Sequence, residues 1–120
     1  MAAILEQESR DLVVARVQGK LSREQLKAFQ DEAAPLFKAS GDMRFLVILE
    51  DFDGWESGRG WEDASFADQN DEYLTKFAIV GEEAWRDQVL MFALAGLRPV
   101  EIRYFATEEE AAARQWLVEG

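Results

Sequence analysis

The 120-residue sequence contains neither cysteine nor histidine, and these two absences exclude many kinds of functional site. Without cysteine there is no disulfide framework, no thiolate metal site and no cysteine nucleophile. Without histidine, Ser-His-Asp triads, Cys-His pairs, histidine-ligated zinc and histidine-ligated haem are also excluded. Carboxylate, lysine, tyrosine and serine chemistry remain open, but no pair of carboxylates is marked out as an acid and base. We therefore expect no catalytic residues, no metal site and no cofactor.

Targeting and membrane-spanning signals are also lacking. The first residues, Met1–Glu6, have no basic region and so do not resemble a signal peptide. The longest uncharged apolar run, Val89–Leu97, is about half the length that a transmembrane helix needs. These features predict a cytoplasmic protein.

Positive charge is scarce, because 13 basic residues face 24 acidic ones and the net charge is −11. Nine of the acids lie between Glu50 and Glu72, where Arg59 is the only base, so this stretch alone carries a charge of −8. Phosphate backbones and anionic lipid headgroups are recognised through clusters of lysine and arginine. The charge distribution therefore predicts no nucleic-acid partner and argues against membrane association.

The first part of the chain carries clear signals for two strands and a helix. Ala3–Gln7 and Leu12–Gly19 are predicted strands, and the second alternates in the way that a half-buried strand does. Ser22 is expected to begin a helix, because Gln25 follows three residues later as a capping box requires. Pro35 is expected to bend or end this helix near its last turn.

Three further strands follow, and two of them are apolar on both faces. Phe45–Leu49 and Phe77–Val80 have the continuous apolar character of central, parallel strands that helices cover on each side. Pro99–Phe105 is the third, with Ile102 and Tyr104 on one face. One domain spanning residues 1–120 accommodates all of these elements, since no linker or repeat divides the chain.

Each of these three strands is followed by a predicted helix. A weak helix covers Trp61 to about Glu72, and a second begins at Glu82–Glu83 with acids at its positive end. Thr107 begins the last, with Glu110 three residues later. The order ββαβαβαβα predicts an α/β fold: a mixed, mainly parallel five-stranded sheet with helices packed around it.

Several short apolar and aromatic motifs between about Phe45 and Leu117 occur in a characteristic order. They are Trp55, Trp61-Glu62-Asp63, Phe66, Phe77-Ala78-Ile79-Val80-Gly81, Trp85, Glu101-Ile102-Arg103-Tyr104-Phe105, Ala112 and Trp116-Leu117. In this order they resemble the SpoIIAA-like proteins, bacterial one-domain relatives of the STAS and CRAL-TRIO domains. The resemblance implies a mixed sheet with packed helices. It also implies either phosphorylation-switched protein binding, as in STAS domains, or lipid binding, as in CRAL-TRIO domains.

Ser57 lies near the position at which STAS antagonists of anti-sigma factors carry their phosphorylated serine. The antagonist motif has Asp-Ser, then Ser or Thr, then Gly, whereas this sequence has Trp55-Glu56-Ser57-Gly58. A phosphate there would meet the carboxylates of Glu56, Glu62 and Asp63, which disfavour added negative charge. Ser57 is therefore a minor candidate for phosphorylation, and a loop hydroxyl or helix cap is the alternative.

The acidic stretch also has part of the spacing of a calcium-binding loop. Asp51, Asp53 and Glu62 occupy the first, third and twelfth positions of an EF-hand loop. Trp55 replaces the fifth-position ligand, and Glu56 replaces the glycine that the turn requires. We therefore predict no metal site and interpret these acids as a solvated face, with a looser oxygen-ligated cation as the alternative.

Two groups of large apolar residues are the candidates for binding. The first is predicted to hold a small apolar or amphipathic ligand beneath a mobile helical segment, at the carboxyl ends of the parallel strands. It comprises Trp55, Trp61, Phe66, Trp85, Val89 and Phe92. Ordinary core packing of the aromatic residues is the alternative.

The second group lies on the opposite side of the helix that follows Glu82. A surface helix needs one apolar face, and this helix has nearly two in its second half. The surplus is predicted to contact a second subunit or another protein through Leu90, Met91, Leu94 and Leu97. The sequence thus predicts a non-enzymatic binding module. The alternative to ligand binding is a regulatory protein–protein module, homodimeric or selecting a basic partner through its acidic segment.

Overall fold

The computed structural model describes residues 3–56, 71–93 and 100–119. Five strands form one sheet, and their order across the sheet is their order along the chain. They are β1 (Ala3–Ser9), β2 (Leu12–Gln18), β3 (Met43–Glu50), β4 (Leu74–Gly81) and β5 (Glu101–Ala106). β1 is antiparallel to β2, and the other neighbouring strands are parallel. The predicted mixed, mainly parallel sheet is confirmed.

Three α-helices pack on this sheet within the described residues. They are α1 (Arg23–Ser40), α2 (Arg86–Phe92) and α3 (Glu110–Val118). Helices α1 and α2 cover one side, here called the first face, and α3 covers the other, the second face. The helix predicted from residue 61 lies outside the described residues until its end, where Asp71–Tyr73 form a 3-10 turn.

Strand β3 is the centre of the sheet and divides its side chains between two cores. Met43, Phe45 and Leu49 are buried in the first-face core, whereas Leu46 and Ile48 are buried in the second-face core. Successive side chains of a strand point to opposite faces, so a strand that is apolar throughout needs cover on both sides. The prediction of a central, parallel strand is confirmed.

Helix α1 has the predicted amino-terminal capping box. The hydroxyl of Ser22 accepts from the backbone N–H of Gln25 at 3.1 Å, and the Gln25 side chain accepts from the Ser22 N–H at 2.9 Å. The expectation that Pro35 could end the helix is wrong, because α1 continues to Ser40. The last turn is held by the fully buried ring of Phe37 and by Gly41, whose left-handed backbone (φ 74°) ends the helix.

The predicted start of the last helix also needs correction. Thr107–Glu109 form a 3-10 turn, and the α-helical pattern of α3 starts only at Glu110. The carboxylate of Glu109, rather than that of Glu110, accepts from the Ala106 N–H at 2.9 Å. The spacing of three residues is as predicted, but the capping residue is Ala106, whose backbone is still extended (ψ 160°), in place of Thr107.

No helix in the described part of the chain is long and apolar enough to cross a membrane.

Candidate functional site

The carboxyl ends of β3, β4 and β5 enclose an open cleft of about 660 Å³. Apolar side chains from the strand ends form its floor, among them Ile48 and Val80. Most of the remaining lining is acidic, and we call this site the acidic cleft. Its acidic residues are Glu50, Asp51, Glu82, Glu83, Glu108 and Glu110.

Only half of these carboxylates have a basic partner within the described chain. The ion pairs are Glu50–Arg16 (3.5 Å), Glu83–Arg86 (2.7 Å) and Glu110–Arg114 (3.0 Å). Asp51, Glu82 and Glu108 are exposed and make no ion pair with a described residue. No group of three or more acidic side chains among the described residues is arranged to hold a metal ion. The acidic cleft therefore presents three carboxylates that a positively charged group could approach.

The segment that follows β3 is held in place by the backbone of the loop that follows β2. Asp53 donates its N–H to the Gly19 carbonyl at 2.9 Å, and Leu21 donates to the Gly54 carbonyl at 2.9 Å. Asp51 lies in the left-handed region with φ 50°, a conformation that costs energy for a residue with a Cβ. The surrounding hydrogen bonds therefore fix Asp51 at the cleft despite its strained backbone.

Tyr104 fixes another wall of the acidic cleft. Its hydroxyl donates to the carbonyl oxygen of Glu82 at 2.7 Å. Burial, assisted by the nearby carboxylate of Glu83, raises the pKa of Tyr104 to about 12. A Cβ on Gly81 would lie 2.5 Å from the hydroxyl oxygen of Tyr104, so only glycine leaves room for this contact. The contact between Gly81 and Tyr104 was not predicted from the sequence, where a glycine at the end of a buried strand was the available signal.

Four aromatic residues pack together on the first face, between the segment after β3 and helix α2. We call them the aromatic cluster: Phe52, Trp55, Trp85 and Phe92. Ring centroids are 5.2 Å apart for Phe52–Trp55, 5.1 Å for Phe52–Trp85 and 5.1 Å for Trp55–Phe92. Gly54 allows the close packing, since a Cβ there would lie 3.1 Å from the Trp85 ring.

The aromatic cluster brings together most of the described residues of the predicted ligand site. Trp55, Trp85 and Phe92 are in contact, and Val89 is buried in the first-face core, against which Trp55 and Trp85 pack. Phe92 is 38% exposed, and the indole Nε1 of Trp55 is buried without a hydrogen-bond partner among the described residues. The remaining two predicted residues, Trp61 and Phe66, lie outside the described residues. Ligand binding by this group stays a prediction.

The predicted protein-contact residues divide in the structure. Leu90 packs against the first-face core, whereas Met91 is 76% exposed. Leu94 and Leu97 lie outside the described residues, as does Ser57, the phosphorylation candidate. Within the described chain, Met91 is therefore the member of this group that is accessible to another molecule.

The second face differs from the acidic cleft, because its basic residues are engaged within the chain. Each of four strands contributes one basic side chain to this face, and α3 contributes another. The contacts are Arg16–Glu50 (3.5 Å), Arg44–Asp11 (3.0 Å), Lys76 Nζ to the carbonyl oxygens of Trp116 (2.7 Å) and Glu119 (2.9 Å), Arg103–Glu101 (3.1 Å) and Arg114–Glu8 (2.8 Å). These pairings leave little positive charge for an anionic ligand.

The sequence model described as SpoIIAA-like matches residues 12–118 of the chain. The chain belongs to the SpoIIAA-like family. The assignment agrees with the resemblance that the aromatic and apolar motifs indicated. No curated protein is detectably similar to the chain in sequence.

Solved structures show the same SpoIIAA-like fold. An uncharacterised protein from Shewanella loihica PV-4 is 22% identical, with a TM-score of 0.64 over 97% of this chain and 92% of that one. The anti-sigma factor antagonist SpoIIAA, unphosphorylated, is 18% identical, with a TM-score of 0.62 over 96% and 98% of the two chains. The phosphorylated form of the Bacillus cell fate determinant SpoIIAA is 18% identical, with a TM-score of 0.55 over 95% and 99%.

Proposed function

We propose that this SpoIIAA-like chain is a non-enzymatic regulatory module that binds a basic segment of another protein in the acidic cleft. The observation that carries the proposal is the set of three exposed carboxylates, on Asp51, Glu82 and Glu108, that have no basic partner in the described chain. A surface that keeps unpaired charge of one sign favours a partner of the opposite sign and speeds its approach.

The proposal is supported by the backbone of the residues that carry these carboxylates, which is held in place by hydrogen bonds and by secondary structure. Glu82 is held by the hydroxyl of Tyr104, and Asp51 lies in a segment tied to the loop after β2. Glu108 lies in the 3-10 turn that leads into α3. A partner that bridges the ends of β3 and β5 would therefore meet carboxylates at fixed spacing. Its binding would cost little conformational entropy in this chain.

The experiment uses an arginine- and lysine-rich peptide as the probe. Its binding to the wild-type chain is followed by amide chemical shifts. Its affinity is then measured for the wild type and for two variants that have the same net charge as each other. Asp51→Asn/Glu108→Gln removes two cleft carboxylates, and Glu24→Gln/Glu32→Gln removes two exposed carboxylates on α1. We expect the cleft variant to bind about threefold to tenfold more weakly, since exposed charge pairs contribute roughly 0.2–1 kcal/mol each.

The control variant is expected to lose much less affinity, because α1 packs on the first face, whereas Ile48 and Val80 in the floor of the acidic cleft lie on the second face. The amide shifts should concentrate at residues 50–51, 82–83 and 107–108. Equal weakening in both variants, or shifts spread evenly over the acidic surface, would contradict the proposal.

A second candidate function is the binding of a small amphipathic molecule at the aromatic cluster. The buried N–H of Trp55, which lacks a partner among the described residues, favours it, because such a donor is stabilised by a ligand acceptor. The partly exposed ring of Phe92 and the exposed Met91 provide apolar surface nearby. A ligand with a carboxylate or ester oxygen next to an alkyl chain would accept a hydrogen bond from the Trp55 N–H and cover this apolar surface.

Fluorescence tests this candidate with a brominated fatty acid, which quenches nearby tryptophans. We expect Trp55→Phe to reduce the quenching, whereas Trp116→Phe, on the second face, should preserve it. Native mass spectrometry of the purified protein should also reveal a retained small molecule. An empty protein whose Tm is unchanged by fatty acids and phospholipids would rule this candidate out.

A further inference from the structure

We propose that the outer edge of β5 binds a second copy of this chain, with the two β5 strands antiparallel about a two-fold axis at Ile102. This inference goes beyond the proposed function, because the acidic cleft takes no part in the contact. β5 is the last strand of the sheet, and no described strand pairs with it on the side away from β4. Such an edge presents backbone N–H and C=O groups that can pair with another strand.

The direction of the backbone groups selects the residues that would pair. The N–H of Ala106 is bonded to the Glu109 carboxylate at 2.9 Å, so it is directed away from β4. Alternate residues of a strand direct their backbone groups to the same side. Ile102 and Tyr104 therefore present theirs to the outer edge, and two Ile102 residues facing each other would exchange both N–H···O bonds.

The charges of β5 are self-complementary in this register. With Ile102 at the centre, Glu101 lies opposite Arg103 of the second copy, and Arg103 lies opposite its Glu101. Opposite charges directly across an antiparallel pair are favourable, and like charges are not. A register centred on Arg103 would instead bring two guanidinium groups together, so the charges favour the Ile102 register.

Arg103 is already oriented for this contact within one chain. Its Nε lies 3.1 Å from the carboxylate of Glu101, and its guanidinium carbon lies 4.8 Å from the centroid of the Trp116 ring. The guanidinium has five N–H donors, and the contact with Glu101 uses one of them. Donors therefore remain for a carboxylate across the axis, at little cost in side-chain entropy.

The opposite edge of the sheet lacks this complementarity. β1 contains Glu6 and Glu8 and no basic residue. An antiparallel pair of β1 strands centred on Gln7 would place Glu6 opposite Glu8 of the second copy, which is destabilising. Of the two edges, β5 is the one whose sequence matches itself.

The association should be weak and concentration-dependent. One six-residue strand buries less than the roughly 1,200–2,000 Å² of a stable interface. Each copy also carries a net charge of −11, which opposes association. We expect a dissociation constant between about 10 µM and 1 mM.

Sedimentation equilibrium of the wild type and three variants tests the proposal. Protein concentrations from about 10 µM to 2 mM span the expected dissociation constant of the dimer. Glu101→Arg should weaken the dimer by about tenfold or more, because it replaces two attractive pairs by two repulsive ones. The double variant Glu101→Arg/Arg103→Glu should restore the dimer, since it exchanges the charges and keeps them complementary. Glu6→Arg is the control, with the same change in net charge on β1, and should dimerise at least as well as the wild type.

Thermal melting of each variant establishes that it is folded. Amide hydrogen exchange provides an independent measurement on the unaltered chain, in which the Ile102 and Tyr104 amides should exchange more slowly at high concentration. A chain that stays monomeric throughout the range, or a dimer that Glu101→Arg leaves intact, would overturn the proposal. Neither outcome bears on the acidic cleft, which the peptide experiment tests separately.

Discussion

The acidic cleft and the second face use charge in opposite ways. On the second face, Arg44, Lys76 and Arg103 each contact an acidic side chain or a backbone carbonyl, and their charges stabilise the fold. At the acidic cleft, Asp51 and Glu108 make no ion pair with a described residue, and their charges remain available to a partner. The net charge of −11 is set by composition, and the two regions differ in how many of their charges are paired within the described chain.

The largest expected effect lies in the apolar core that underlies the second face. Leu117 is fully buried there, whereas its neighbour Val118 is 63% exposed. We expect Leu117→Ala to lower the free energy of unfolding by about 2–5 kcal/mol, because it removes buried atoms and leaves a cavity. Val118→Ala should change it by less than about 0.5 kcal/mol. Urea denaturation of the two variants measures the difference, and equal losses would contradict the packing of α3 described above.

The next effect concerns the wall of the acidic cleft at Gly81. We expect Gly81→Ala to destabilise the chain by about 1–3 kcal/mol, because the new Cβ would meet the hydroxyl of Tyr104 and the side chain of Leu49. Tyr104→Phe removes that hydroxyl and, with it, the donor to the Glu82 carbonyl. The double variant should therefore be more stable than the sum of the two single losses predicts. Simple additivity in thermal denaturation would show that the close contact is absent.

A smaller effect tests the charge pairing of the second face. Arg114 contacts Glu8 at 2.8 Å and Glu110 at 3.0 Å, and its hydrogen bond lowers the pKa of Glu8. We expect Arg114→Met to cost about 1 kcal/mol or less at neutral pH, since the pairs are partly exposed. The lowered pKa belongs to the folded state, so this contribution is complete above the ordinary value of 4.5 and is lost as the pH falls through the folded value.

The measurement is the stability difference between the wild type and Arg114→Met as a function of pH. It should be constant near neutrality and shrink in the acidic range. A difference that grew on acidification would mean that Glu8 is not the carboxylate that Arg114 stabilises.

The smallest effect concerns the strained backbone of the acidic cleft. Asp51→Gly should leave stability unchanged or raise it by up to about 1 kcal/mol, since glycine adopts the left-handed region without strain. Asp51→Ala is the matched control and should be less stable than Asp51→Gly. A marked loss of stability in the glycine variant would indicate that the Asp51 side chain holds the segment after β3.

Much of the architecture could be predicted because local sequence determines it. The apolar run Phe45–Leu49 predicted a central strand, and Ser22 with Gln25 predicted the start of α1; both are confirmed. The start of α3 was harder to predict from the sequence. The choice between a 3-10 turn and an α-helix after Ala106 depends on which nearby carboxylate accepts from the backbone N–H there. Local patterns cannot resolve differences of one residue at a helix end.

The candidate site was harder to predict than the fold. The acidic stretch from Glu50 was recognised, but Glu82 and Glu108 join it only because parallel strands end at the same edge of the sheet. Which carboxylates are neutralised also depends on contacts between distant residues. Arg16 and Glu50, for example, are neighbours because β2 and β3 pair in one particular register. Such pairings follow from the three-dimensional arrangement and leave no local signal.

The agreement between strand order and chain order has a consequence for the way this protein is made. Each strand from β2 onwards pairs with the strand that was synthesised immediately before it. The sheet can therefore form in one direction during synthesis, and none of these strands depends on a later one for its first pairing. Helix α3 interrupts this progression, because Arg114 binds Glu8 on the first strand, 106 residues earlier. Among the described helices, α3 alone covers the second face, so the apolar side chains of that face lack this cover, and are exposed to aggregation, until α3 has been synthesised and has docked.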